Sequence, residues 1–209
     1  SCIEYAYHLM AIAAGLDVPE AKLFPSRRGS GFFGVKRFDR MQEQNIHMHT
    51  SAGLLHADHR EPSLDYEVIM KTTLYLTRDV RECEKQFRNA VFNVLTHNRD
   101  DHSKNFSFLM DEHGAWRVSP AYDLTFSFGP NGEHSTMIMG EGKNPTLNHL
   151  LRLAAVGEIK KPKALEIIEH VHSATNKWKD CAESTGVSKP QIKRIGETLA
   201  SVKNIFTNA

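Results

Sequence analysis

The side chains best able to do chemistry lie together in Asn98-Arg99-Asp100-Asp101-His102-Ser103-Lys104-Asn105, which brings two carboxylates, a histidine, a lysine and two amides into one short stretch. Transfer of a phosphoryl group to a hydroxyl needs a carboxylate to orient and accept from that hydroxyl, a cation near the moving group, and oxygen ligands for magnesium. Asp100, Lys104 and Asn105 are those three types. Taken alone, the same residues also suit a plainer task, since Asp and Asn cap helices and turns throughout proteins.

What separates the two readings is the order of the surrounding elements. Val80, Cys83, Phe87, Ala90, Val91, Val94 and Leu95 recur at helical spacing and predict a core helix that ends just before Asn98. Residues 106–109 and 115–118 flank Asp111-Glu112-His113-Gly114, the pattern of a hairpin with a short glycine-containing loop. The five-residue interval from Asp100 to Asn105 equals that of the catalytic-loop pattern H-R-D-L-x-x-x-N, with Asn98 in place of the histidine. In that pattern a second metal carboxylate follows a hairpin, and Ser119-Pro120-Ala121-Tyr122-Asp123-Leu124 places Asp123 directly after the second predicted strand. Caps need not recur at both places.

The rest of the chain supplies mixed structure at the start and helices at the end. Residues 3–14 predict a helix ended by Gly15, and residues 21–24 and 32–38 predict strands. Ser63 is placed as the N-cap of a helix whose apolar face is Leu64, Val68, Ile69 and Tyr75. Met137-Ile138-Met139 predicts a buried strand, residues 146–156 and 162–178 predict helices, and Ser188-Lys189-Pro190-Gln191 opens a last one. Lys160-Lys161-Pro162-Lys163 is read as a solvated helix start.

Twenty-six basic against twenty-five acidic residues leave a formal charge of +1, so no field of one sign points to nucleic acid or an anionic membrane. Cys2, Cys83 and Cys181 are far apart and lack C-x-x-C spacing, which favours a reducing, cytoplasmic setting over a zinc or disulfide framework. No apolar run approaches the roughly 18 residues of a spanning helix. The opening on Ser1 in mid-pattern suggests a trimmed terminus or a piece of something longer.

Two further patterns attract a functional reading and are set aside. Gly29-Ser30-Gly31-Phe32-Phe33-Gly34 matches G-x-G-x-x-G by letter, but Lys36 follows too soon for a phosphate-covering loop, so a turn entering a strand is the simpler reading. Among twelve histidines, His47, His49, His56 and His59 fall in one stretch, with His47 and His49 on one strand face. Without H-E-x-x-H or a nearby cysteine pair, structural or solvated roles are expected for them.

The segments 100–107 and 119–123, with Val35-Lys36-Arg37-Phe38-Asp39-Arg40 upstream, resemble the HipA-like serine/threonine kinases of bacterial toxin–antitoxin modules. The resemblance implies an α+β, mainly helical, kinase-like C-terminal lobe over residues 46–209, with a partial ATP lobe and hinge in residues 1–45. It implies that Asp100 orients the acceptor hydroxyl, that Asn105 and Asp123 hold magnesium, and that His102, Lys104 and Tyr122 lie against the ATP phosphates. The backbone from Lys36 to Phe38 would be the hinge that meets adenine, and Glu4 would pair with a lysine that family members carry N-terminal to the matching region, as they do the glycine-rich loop. A DNA-binding antitoxin is the implied partner. Two alternatives stay open: a small-molecule phosphotransferase, and a catalytically silent antitoxin-binding module.

Overall fold

The computed structural model describes residues 1–27, 29–41, 44–57 and 64–207. The fold is α+β, as expected, with about half of the described residues helical rather than most of them, and the strands in four small sheets. In chain order, α1 (Cys2–Ala13) precedes the hairpin β1 (Ala21–Phe24) and β2 (Phe32–Val35), then β3 (Arg40–Met41), β4 (Gln44–Asn45), β5 (His47–Thr50), α2 (Ser51–Leu54) and β6 (Leu64–Asp65). There follow α3 (Tyr66–Thr77), α4 (Val80–Leu95), β7 (Ser107–Met110), β8 (Trp116–Val118), β9 (Thr136–Met137), α5 (Leu147–Val156), α6 (Lys161–Thr175), α7 (Trp178–Ser184) and α8 (Lys189–Thr207).

Helix α4 is the centre of the molecule. Asp79 caps it by accepting from the Arg81 N–H at 2.9 Å, and Cys83, Phe87, Ala90, Val91 and Leu95 are fully buried at the expected spacing. Helices α3, α5 and α6 pack around it, and α1 joins through α6 and α7. Tyr7 on α1 reaches the end of α4, where its hydroxyl donates to the Thr96 carbonyl at 2.6 Å. Burying Tyr7 and Phe92 in edge contact, with ring centroids 6.3 Å apart, fastens the first helix to the one that leads into Asp100.

The hairpin forms as expected. Phe108 pairs with Val118 and Met110 with Trp116, while the Asp111 carboxylate turns the loop by accepting from the His113 and Ala115 N–H groups at 2.9 Å each. The sheet is three-stranded, however, because β5 adds to β7 with His47 opposite Met110. His47 packs on Trp116 at 5.5 Å and His49 lies 6.2 Å from it, so the two histidines do share a face.

Four expected boundaries shift. Strand β2 stops at Val35 rather than running to Phe38, and the ladder with β1 closes at the bond from the Lys36 N–H to the Glu20 carbonyl. The glycines before it do form a turn into a strand, with Gly31 at φ +81°. Helix α3 is capped by Asp65, not by Ser63, which lies outside the described residues, as does His59. Its inner face is Tyr66, Ile69, Met70 and Thr73, leaving Val68 and Tyr75 exposed, and Leu64 belongs to a strand. The helix expected over 162–178 breaks into α6 and α7, because Trp178 folds inward to meet Tyr7 at 5.7 Å and to donate to the Ile192 carbonyl at 3.0 Å. Ile138 is fully buried as expected, but the strand ends at Met137, since Met139 adopts φ +55°. No helix among the described residues is long and apolar enough to cross a membrane.

Candidate active site

The loop carrying Asp100 leaves α4 through a reversal at His97, whose φ is +54°. Asn98 is then held doubly on Asn93, one turn back in the helix, through backbone N–H to carbonyl and amide to amide oxygen, both at 2.9 Å. Arg99 clasps two later loop segments, donating to the Gly132 and Lys143 carbonyls. Gly129 permits this approach: its φ is +69°, and a Cβ there would stand 2.6 Å from the Arg99 Cβ.

Asp101, adjacent to Asp100, is fully buried. Its carboxylate accepts from the Tyr66 hydroxyl and from His134 Nδ1, each at 2.8 Å, and from the Thr136 N–H at 3.3 Å. Sequence pattern marks Asp101 only as part of the motif and does not mark Tyr66, Asn93, His134 or Thr136. The available signal was Asn93 in an otherwise apolar helical stripe, but nothing in the sequence names partners some 35 residues away.

Asp100 is exposed on the outer side of the loop, and Asn105 is buried beneath it, its amide nitrogen donating to the Asp100 carbonyl at 2.9 Å. The second segment arrives from β8. Ser119 donates from its N–H to the Ser107 carbonyl at 2.9 Å, and Ala121 to the Asp17 carbonyl at 2.7 Å, so residues 119–123 are pinned to both the sheet and the connection between α1 and β1. Tyr122 joins the two segments directly: its hydroxyl donates to the Lys104 carbonyl and pairs with the Ser107 hydroxyl at 2.6 Å.

This places Asp123 beside the loop, at φ +57°, a left-handed conformation that costs a non-glycine residue roughly 1–2 kcal/mol. Strain of that kind concentrates at functional sites. Although its side chain still reaches solvent, surrounding protein pushes the Asp123 carboxyl above the ordinary carboxylate range, and the Asp100 charge adds to the push. His102 opposes it, Glu4 raises it further, and a hydrogen bond from Asn105 pulls it down. Asp100, His102, Asn105, Asp123 and Glu4 therefore share one neighbourhood, built from α1 and two separate later segments.

The remaining expected site residues, apart from Lys36, lie around this group. Lys104 is exposed on the loop itself, Phe38 sets its ring 5.4 Å from that of Tyr122, and Glu4, His8, Phe33, Val35, Tyr122 and Asp123 line one cleft. The Lys36 ammonium stands apart, paired with Glu20 at 2.9 Å on the exposed hairpin, and its backbone N–H is taken by the Glu20 carbonyl. Carboxylate and amide oxygens are the hard donor types that magnesium takes, while among the described residues no group of three or more His, Cys, Asp or Glu side chains is arranged to hold a metal ion. Asn105 thus donates to the Asp100 carbonyl and also hydrogen-bonds the Asp123 carboxylate, linking the two segments.

The model of the HipA-like C-terminal domain matches residues 1–178. The chain belongs to the HipA-like C-terminal domain family. Two Sinorhizobium fredii proteins are similar in sequence: one named "Putative kinase Y4dM", 23% identical over 94% of this chain and 51% of its own length, and one named "Putative kinase Y4mE", 29% identical over 66% and 35%. The Shewanella oneidensis HipA, solved with HipB and operator DNA, has the same fold, with a TM-score of 0.77 over 99% of this chain and 55% of its own, at 16% identity. The chain thus spans about half the length of the first relative and of the HipA structure.

Proposed function

We propose that this HipA-like chain is the catalytic lobe of a serine/threonine protein kinase, which transfers the ATP γ-phosphoryl group to a protein hydroxyl with magnesium bound. The observation that carries the reading is the meeting of Asp100, Asn105 and Asp123 from two segments separated by a hairpin. Asp100 receives the proton as the acceptor oxygen bonds to phosphorus and the bridging bond to ADP breaks. Asn105 and Asp123 would hold the magnesium ion, which when bound would supply charge neutralisation on the phosphate oxygens. Lys104 and His102 face the phosphates, Tyr122 holds the loop against Asp123, and the backbone through Lys36 and Phe38 meets adenine. Residues 1–45 then form part of the ATP lobe and hinge, and residues 46–209 the catalytic lobe.

The HipB and DNA present with the Shewanella protein support a DNA-binding antitoxin as partner. With a net charge of +1, direct DNA contact by this chain is not part of the proposal. The test uses the full-length protein with magnesium and ATP labelled at the γ-phosphate. Label on serine or threonine of a protein acceptor, lost in Asp100→Asn, is expected. Label passing only to small alcohols would change the acceptor class, and calorimetry without magnesium-dependent heat on ATP addition would remove the enzyme reading.

A further inference from the structure

Three consecutive carbonyl groups around Asp100 are each held by a named donor. That of Arg99 accepts from the Ser135 N–H and hydroxyl, both at 3.0 Å; that of Asp100 from the Asn105 amide at 2.9 Å; that of Asp101 from the Thr136 hydroxyl at 2.5 Å. The donors on the outer two come from residues 134–136, which β9 in turn anchors on β6 with Leu64 opposite Thr136. Two of these residues, His134 and Thr136, together with Tyr66 donate to the Asp101 carboxylate, which has no exposed surface.

A carboxylate needs no such burial to cap a turn. Removing one from water is costly unless donors meet its charge, and a well-packed apolar group would serve stability as well or better. The network is also directional. The Asn98 amide donates to Asn93, the Asn93 amide donates to the Tyr66 oxygen at 2.9 Å, and the Tyr66 hydrogen is thereby committed to Asp101. The arrangement fixes the direction of the peptide units on both sides of Asp100, and so the side from which its carboxylate projects.

Resting on the reading of Asp100 as the group that orients the acceptor, we infer that His134, Thr136 and Tyr66 are positioning residues that act through Asp101 to aim Asp100. None of the three is assigned a contact with substrate. His134→Leu removes a donor from a buried charge; His134→Asn puts an amide N–H close to where Nδ1 stands; Thr136→Val and Tyr66→Phe each delete one hydroxyl.

In the full-length protein, His134→Leu is expected to lower kcat about a hundredfold, the cost of a misplacement near 1 Å. KM for magnesium-ATP should stay within about twofold, since ground-state binding is untouched. His134→Asn should recover most of the loss, and Thr136→Val and Tyr66→Phe should each cost about tenfold. Hydrogen exchange of the same variants should accelerate at the amides of residues 99–105 while those of α6 keep the wild-type rate. The inference is overturned if kcat per folded molecule is unchanged, if His134→Asn is as slow as His134→Leu, or if exchange rises equally in α6. Should wild-type protein transfer no phosphoryl group, the kinase reading fails by itself; unaltered exchange at 99–105 in Thr136→Val, the variant least disturbing to folding, would then sink the positioning claim separately.

Discussion

Asn105 donates through its amide nitrogen to the backbone carbonyl of Asp100 at 2.9 Å, so the proposed magnesium ligand also fixes the peptide that carries the proposed base. Asn105→Asp separates these two tasks. A carboxylate is a good magnesium ligand, but it cannot donate, and it would add a third negative charge beside Asp100 and Asp123. Losing the donor to this part-buried carbonyl costs about 1 kcal/mol. The expected outcome is a lower denaturant midpoint together with loss of phosphoryl transfer that added magnesium does not restore. Activity near the wild-type level in this variant would show that metal ligation alone explains Asn105.

Tyr122→Phe isolates the brace between the two site segments. The ring contact with Phe38 is kept, while the bonds to the Lys104 carbonyl and the Ser107 hydroxyl are lost. Loss of stability of about 1 kcal/mol is expected for a hydrogen bond of this kind. Because Lys104 and Asp123 lose their common anchor, transfer should fall more than stability does, which parallel denaturation and single-turnover measurements would resolve. Equal and small effects on both would reduce Tyr122 to packing.

Asp100→Asn separates fold from chemistry. The Asp100 side chain is exposed, and its backbone is held by groups that an amide side chain does not disturb. Stability should therefore stay within about 0.5 kcal/mol of wild type. Transfer should vanish, because the amide cannot take the hydroxyl proton. A thermal scan beside a labelled-phosphate assay is sufficient, and residual transfer in the variant would reassign the base.

These outcomes reflect what local sequence can and cannot specify. The α4 stripe, the hairpin after Asn105 and the position of Asp123 behind β8 were legible because each is set by periodicity or turn chemistry within a few residues. The pairing of β5 with β7 joins residues some sixty apart, and the burial of Asp101 depends on Tyr66 and His134 on either side of it in the chain. Such contacts are decided by tertiary packing, which overrides local pattern. The same cause moved the cap of α3 to Asp65, whose carboxylate also accepts from Met139 at 3.1 Å and from Gly140 at 2.6 Å. The break after α6 likewise follows from the burial of Trp178, not from any breaker residue.

His97 supplies a pH dependence with a definite sign. Burial, then the Arg99 charge, and to a smaller degree His134 hold its pKa below the ordinary value, against the opposing hydrogen bond to the Ser127 carbonyl. Phe126 and Phe128 close the remaining sides, at 5.4 and 5.6 Å. The folded protein therefore favours neutral imidazole. As pH falls through the unfolded-state value of about 6.5, the unfolded chain takes up a proton that the folded chain resists, so stability declines from there down to the lowered folded value. The melting temperature should be lower at about pH 5.5 than at about pH 7.5. His97→Asn keeps a residue that tolerates φ +54° but does not titrate, so the gap between the two temperatures should narrow. Some slope will persist, because burial also lowers the pKa of His8. A gap as wide in the variant as in wild type would place the acid sensitivity elsewhere.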